Sequence, residues 1–528
     1  MSVLGENDVV KDSSVVLESS EQKCPEEIAK PQKATIGKRE LWLGLGLVAS
    51  GLLMANSIIY AGFNLGFAIA MIGCIVFSGG YFLSGQFRGQ GKRTGENAII
   101  KGRDRAYALS LLGLSIVIAA SFVRSDDGFV KFVMLCFLLI SVNLGLCLLA
   151  GKNRRSSKRV QTLDDAGYTF FSVGFGQMGN VGRGVKDAFR NGGTAGKRSG
   201  SVLLGLGLAL PIVLIVGFLL MSADAAFEGL MDKMPDISVG ELICTLVVGS
   251  MIISLWYTRA VGLGYCEPAP VEVKMRKGLA ALTVNTVLAA VSGVYLMYLV
   301  SQLAYFTGGF AGILPEEYTL SQYARRGFFE MAVLCGINLS IIVFSLWICE
   351  KKSPTPLSTR LFCLFIGIVT LFFVSAASAK MILYIENYGL TRLRLLTQIV
   401  MIFLGLTTIV ICLWLFIPRL PYMKVVILTA LIMGAAVSWI DVDTQVARYN
   451  VDAYLDGRME DMDVGYLMNR LGDGAVPYLV KLKDRATDPQ VLEYVEIALE
   501  QRKDRLTEIE EFRSWNYAKW KAAIYLWD

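Results

Sequence analysis

The sequence predicts an all-α fold, a polytopic bundle of transmembrane helices with a small helical domain after it. Three observations carry this. Of 528 residues, 54% are hydrophobic and only 18% charged. The apolar residues gather in runs of about 20, the length that crosses a bilayer as a helix. After residue 440 the composition changes to a mixed, charged pattern with helical periodicity. A β-barrel is excluded, because barrel strands alternate apolar and polar over about 10 residues.

Taken in order, residues 1–40 are polar, mixed in charge and without an early apolar core. They read as a disordered cytoplasmic tail and not as a signal peptide. Eleven spans follow, at 41–60, 63–84, 106–124, 129–151, 201–221, 239–262, 279–303, 327–349, 361–383, 395–417 and 422–440. Together they make a transmembrane domain over 41–440. Basic residues crowd alternate connections: 85–105, the loop 152–200 that begins "KNRRSSKR", and the segments around Lys274, Lys351 and Arg419. The other side holds Asp126, Asp127 and the acidic "SADAAFEGLMDKMPD". Lys and Arg mark cytoplasmic loops, so the N-terminus is expected on the cytoplasmic side of the membrane. An odd span count then puts the domain at 441–528 outside, where its 12 basic and 18 acidic residues fit.

That domain opens with "DVDTQVARYNVDAYLDG", which has capping residues at its start and Gly457 at its end. "MDVGYLMNRLGDGAVPYLVKLKD" resembles one helix-turn-helix repeat unit. Asp488 before Pro489 is an N-cap followed by proline at the first helical position. A further helix carries Trp515, Trp520 and Trp527. One such pair cannot bury its apolar face alone. It is expected to pack on its own membrane domain, on a second copy, or on a protein partner.

Histidine is absent. Ser-His-Asp catalysis, the zinc-protease helix and His-based pH sensing go with it. The ten cysteines show no CxxC spacing, so neither a zinc site nor a redox pair is indicated. No metal, cofactor or nucleic-acid partner is expected, and no catalytic residue stands out. "GFGQMG" at 174–179 is a literal GxGxxG. A dinucleotide site needs that pattern between a strand and a helix. Here it falls in a membrane connection, where amphipathic interfacial pieces are the plainer reading.

The middles of the runs carry no Asp, Glu, Lys or Arg, and Asn143, Asn285 and Asn338 are the deepest amides. Coupled transporters place ionisable groups near the midplane. Charge collects instead at the outer ends of later spans: Arg325, Arg326 and Glu330, then Lys380 and Glu386, then Arg392 and Arg394. Arg326 and Glu330 are four apart and share a helix face. Thr319 with Gln322 forms a capping-box pattern, which starts that helix before its apolar run. Two readings stay open for this cluster. Guanidinium groups take phosphate or carboxylate in two-point fashion, which fits an anionic lipid or small ligand. Alternatively the charges pair among themselves and tie spans eight, nine and ten together.

Several stretches resemble one family: "YARRGFFEMAVLCGINLSI" (323–341), "YIENYGLTRLRLL" (384–396) and "VARYNVDAYLDGRMEDMDVGYLMNRLGDGAVPYL" (446–479), with "ALPIVLIVGFLLMSADAAFEGLM" and "QLAYFTGG" upstream. They are similar to bacterial membrane proteins grouped as a domain of unknown function of the 4153/4173 type. The resemblance implies an integral membrane protein in which the tail and the membrane part form one unit. It implies no activity. The function classes that remain are a non-enzymatic sensor, regulator or assembly factor, a transporter or lipid-handling protein, and an enzyme acting on a lipid-linked substrate, for which Asp224, Glu228 and Glu330 are available but not selected by their spacing.

Overall fold

The computed structural model describes residues 37–87, 102–124, 126–151, 161–191, 239–265, 278–309, 320–349, 356–459, 462–506 and 512–527. Among them there are helices, turns and one isolated bridge between Leu279 and Cys349. Ten helices are long and apolar enough to span a membrane. They match ten of the eleven expected spans; the eleventh, 201–221, lies outside the described residues.

The membrane helices come first. They are α1 (Lys38–Asn56), α2 (Leu65–Phe87), α3 (Gly102–Ser121) and α4 (Gly128–Leu149). Two short helices follow, α5 (Gln161–Gly167) and α6 (Met178–Asn191). Then come α7 (Val239–Tyr265), α8 (Ala281–Gly309), α9 (Leu320–Ile348), α10 (Leu357–Tyr388), α11 (Arg392–Phe416) and α12 (Tyr422–Ile440). Helix α9 starts ahead of its apolar run, directly after Thr319. The C-terminal domain is α13 (Val442–Leu455), α14 (Val464–Asn469), α15 (Val476–Arg485), α16 (Pro489–Leu506) and α17 (Tyr517–Trp527). Asp488 takes its capping place, accepting from Gln490 N at 2.9 Å. Gly457 closes α13 with φ +70, a conformation that glycine adopts at little cost.

The spans form two sub-bundles, because two sets of apolar faces close on themselves. One core joins α1–α4, α7 and α12 and continues without interruption into the C-terminal domain through Val446, Leu467, Leu479 and Val495. The other joins α8–α11 and takes in Tyr422 at the start of α12. Helix approach in the first core depends on small residues. A Cβ on Gly434 of α12 would lie 2.7 Å from the Phe137 ring of α4, so close packing requires glycine there.

Contacts at the helix ends sort the spans by direction. At one end, Arg39 of α1 meets Tyr81 of α2, Lys424 of α12 meets Asp104 of α3, and Leu279 meets Ile348. At the other end, Asn56 of α1 meets Thr245 of α7, and the C-terminal domain covers the turns after α1, α3 and α10. Helix α4 finishes at the first end, beside α5 and the inner part of α7. Helix α7 begins at the second. Between residues 150 and 239 the chain therefore passes from one end of the bundle to the other.

The span expected at 201–221 would account for that displacement. In a chain whose ten native cysteines have been replaced, Ser199→Cys and Lys233→Cys are expected to react with an impermeant maleimide from opposite sides of the membrane. Labelling of both from one side would remove the crossing at 201–221.

Candidate functional site

The domain-bearing end of the bundle is a polar junction, and Arg392 is at its centre. Thr391 caps α11 through Arg394 N at 3.3 Å, which fixes Arg392 as the first helical residue. Its guanidinium reaches Asp443 of α13 with both Nε and Nη2. Its Nε also lies 3.1 Å from Asp127 Oδ2. The backbone N–H of Arg392 donates to the Tyr466 hydroxyl of α14 at 2.9 Å. One residue thus touches three other parts of the chain.

Each carboxylate has further work. Asp127 caps α4, accepting from Phe129 N at 2.8 Å and Val130 N at 3.1 Å. Asp443 accepts from Gly472 N at 2.7 Å. The two side chains are only 3% and 2% exposed, so both anions are nearly out of water and depend on their donors. Arg394 turns the other way. Its guanidinium donates to the Tyr388 and Gly389 carbonyls at the end of α10 and stacks 4.1 Å from the Tyr384 ring centroid. Asn450 of α13 brackets the same turn by accepting from Leu390 N and donating to Leu390 O, each at 2.7 Å.

A second polar patch lies nearby. Buried Lys131 donates to Asn64 Oδ1 at 2.9 Å and lies 3.5 Å from Asp126. Asn516 donates to the same Asn64 oxygen at 3.2 Å. Arg513 donates to Asn56, Leu65 N to Trp515 O, and Tyr517 N to Val123 O at 2.7 Å. Within the domain, buried Arg502 donates to four carbonyls, those of Leu467, Met468, Leu471 and Gly472.

The joint between membrane and domain is Asp441. It is the one non-glycine with positive φ among the described residues, at +57. It is buried, and Thr444 donates to its Oδ2 at 2.6 Å. Burial, more than any neighbour, pushes its carboxyl up to about 6.

The other residues singled out in the sequence are placed as follows. Lys380 of α10 lies within electrostatic reach of Glu330 of α9. Glu386 is exposed. Arg325 and Arg326 are in α9, but their side chains lie outside the described residues. Asn285 is at the far end of the bundle, bonded to Ser358 and Thr359 at 2.8 and 2.7 Å. Asn338 is fully buried between Tyr295 of α8 and Thr370 of α10. "GFGQMG" follows a π-helical turn (Tyr168–Val173) and runs into α6. No strand precedes it, so the dinucleotide context is missing. Its neighbour is buried Arg259 of α7, whose Nη1 is 3.4 Å from Asn143 Oδ1 and which stacks on Phe170 and Trp256.

Sequence reasoning missed Asp443, and it took Asp127 only as a marker of side. It also missed a cavity of about 490 Å³ beside the junction. Leu395 and Ile399 of α11 and Val437 and Ile440 of α12 form its apolar walls. Gln445, Arg448, Tyr449, Asp452 and Arg458 form its polar side.

A family model described as a domain of unknown function (DUF4153) matches residues 106–482, more than half of the chain. The chain belongs to that family, as the quoted motifs implied, and it is an integral membrane protein by its ten apolar helices. The match includes Asp127, Arg392 and Asp443. No curated protein and no solved structure matches.

Two measurements follow from the junction. Arg392→Ala strands two buried carboxylates, so a loss of about 3–5 kcal/mol is expected in detergent unfolding. Asp443→Ala on that background should cost much less than it does alone, giving a coupling of at least ~1 kcal/mol; additive losses would mean the pair is not coupled. Asp441 makes stability depend on pH. Its folded value lies above the ordinary ~3.9, so the folded chain holds the proton more tightly between about pH 4 and 6. Its contribution to stability is present below that window and is lost as pH rises through it, by up to about 2–3 kcal/mol. Asp441→Asn should therefore raise the unfolding midpoint at pH 7 and remove this slope; an unchanged profile would contradict it.

Proposed function

We propose that the protein is a non-enzymatic membrane sensor, regulator or assembly factor, and that its docked C-terminal domain is the surface that meets other molecules. One observation carries this. The domain is fused to the bundle by a shared apolar core and by the Arg392 junction, while the deep amide Asn338 is satisfied within the bundle by Tyr295 and Thr370. Asn338 and Cys335 are both 0% exposed, which speaks for a closed bundle under a fixed cap. A coupled transporter needs a water path to such groups.

Orientation follows from the basic connections. Lys38, Arg39 and Lys424 fall at the end away from the domain, and the described helices of the segment 152–200, α5 and α6, pack beside α4 and α7. Under the positive-inside tendency that end is cytoplasmic, and the domain faces outward from a bacterial plasma membrane. On the domain, α16 leaves Tyr494 and Ile497 at 59% and 44% exposure. They are the apolar part of a surface for a protein partner or a second copy. The open alternative of the sequence, transport or lipid handling, draws no support from the closed midplane.

Three readouts test this. With Cys335 as the sole cysteine, no reaction with a water-soluble impermeant reagent is expected from either side; reaction would indicate an aqueous path and favour transport. Tyr494→Cys is expected to label in intact cells, and protection until lysis would reverse the orientation. A chain carrying Tyr494→Asp and Ile497→Asp should accumulate normally yet fail to restore the defect of a deletion strain. Full restoration would remove the contact surface.

A further inference from the structure

The cavity between α11, α12 and α13 is in an unusual place. Its walls are residues of two membrane spans, and its rim belongs to the first helix of the C-terminal domain and the turn that follows it. Ile399 is seven residues into α11 and Val437 three residues before the end of α12. At 1.5 Å per residue, those walls lie about 5–10 Å, roughly one to two helical turns, inward from the ends of their spans. About 490 Å³ is within the range of small-ligand pockets, about 300–1,000 Å³. An apolar chamber at that depth adjoins the acyl chains of the surrounding bilayer.

The rim supplies the other half of an amphiphile's chemistry. Arg448 is 61% exposed and meets Asp452 only at 3.8 Å, through Nε. Asp452 has a closer partner in Lys481, at 2.6 Å. Arg458 is 55% exposed, with Asp456 at 3.1 Å. Among these described residues three cations face two carboxylates, and the exposed Arg448 guanidinium engages Asp452 through Nε at 3.8 Å. Guanidinium groups at headgroup level attract anionic lipid and bind phosphate oxygens two at a time.

We infer that this cavity is a phospholipid site, with one acyl chain seated among Leu395, Ile399, Val437 and Ile440 and an anionic headgroup phosphate held by Arg448 and Arg458. The site is separate from the arginine cluster singled out in the sequence. It rests on the place and lining of the cavity and not on the regulatory reading above. A bound lipid would bridge α11 and α12 to α13, so its occupancy acts on the same joint that Asp441 forms.

The test uses the full chain in vesicles of phosphatidylethanolamine and phosphatidylglycerol. A fraction of the phosphatidylglycerol carries a diazirine at the end of one acyl chain. After irradiation, adducts are mapped by peptide mass spectrometry. Expected is a several-fold enrichment on the cavity residues of α11 and α12 over the lipid-facing surface of α8. Ile399→Trp fills the chamber and should abolish the enrichment with an unchanged Tm. Arg448→Gln with Arg458→Gln changes exposed positions only. It should leave the fold intact and erase the preference for a phosphatidylglycerol probe over a phosphatidylethanolamine probe. Adducts spread evenly over all lipid-facing helices would mean surrounding lipid only and would overturn the site. So would enrichment that survives both variants, or a peptide found seated in the chamber. Labelling of Cys335 by aqueous reagent bears on the regulatory reading and leaves these outcomes untouched.

Discussion

Asp127 and Asp443 are taken almost entirely out of water at a membrane boundary, and a single guanidinium lies between them. Neither anion is tolerable there alone. Desolvating a carboxylate costs several kcal/mol, and only close, well-directed donors offset it. The geometry divides that task. Asp127 takes two backbone N–H groups at the start of α4, where the helix dipole also favours negative charge. Asp443 takes Gly472 N and two guanidinium donors. Arg392 can serve both because the Thr391 cap holds it at the first turn of α11, level with the end of α4's neighbouring loop. The arrangement therefore fixes the relative height of two spans and the seat of the whole C-terminal domain.

This explains why the domain does not behave as a tethered appendage. A helical pair of this size lacks the apolar area to close a core by itself. Here the core continues from Leu111 and Leu138 in the membrane through Val442 and Val446 into Leu479 and Val495. Apolar burial provides most of the adhesion, but it is non-directional. Register comes from the polar contacts at the rim: Arg392 on Asp443, Arg513 on Asn56, Asn516 on Asn64 and Asn450 on the 389–390 turn. Asp441, held at positive φ with its carboxyl buried, is the point where these constraints meet the last span. Strain of this kind persists only where the surroundings over-determine it.

Local features were legible in the sequence and distant partnerships were not. Spans at 41–60 or 395–417 announce themselves because length and hydropathy are properties of contiguous residues. Asp488 and Gly457 were legible for the same reason, since a cap and a helix stop act within one turn. Arg392 and Arg394 stood out as exceptions to the charge tendency. Their spacing did not reveal that one holds the domain while the other closes the end of α10. The partners of Arg392 lie in a different loop and 51 residues further on. Asn338 could be named as deep, but not Tyr295 and Thr370 as the groups that satisfy it. The cavity was invisible, because it is a space left between three helices and belongs to no sequence segment.

The distribution of polar groups has a consequence for how such a molecule can respond. In the midplane, Asn338, Tyr295 and Thr370 bond to one another, and a polar group in hydrocarbon that lost its partner would find no water. Rearrangement there is therefore expensive. At the domain-bearing end the situation differs. Exposed charged side chains such as Arg448 and Arg458 are at hand, so partners can be exchanged there at less cost. Any ligand that distinguishes two states of this protein must bind them with different free energy. The junction is where such differences come at least cost. Conformational response should thus be confined to the layer between span ends and domain, with the spans below acting as a fixed base.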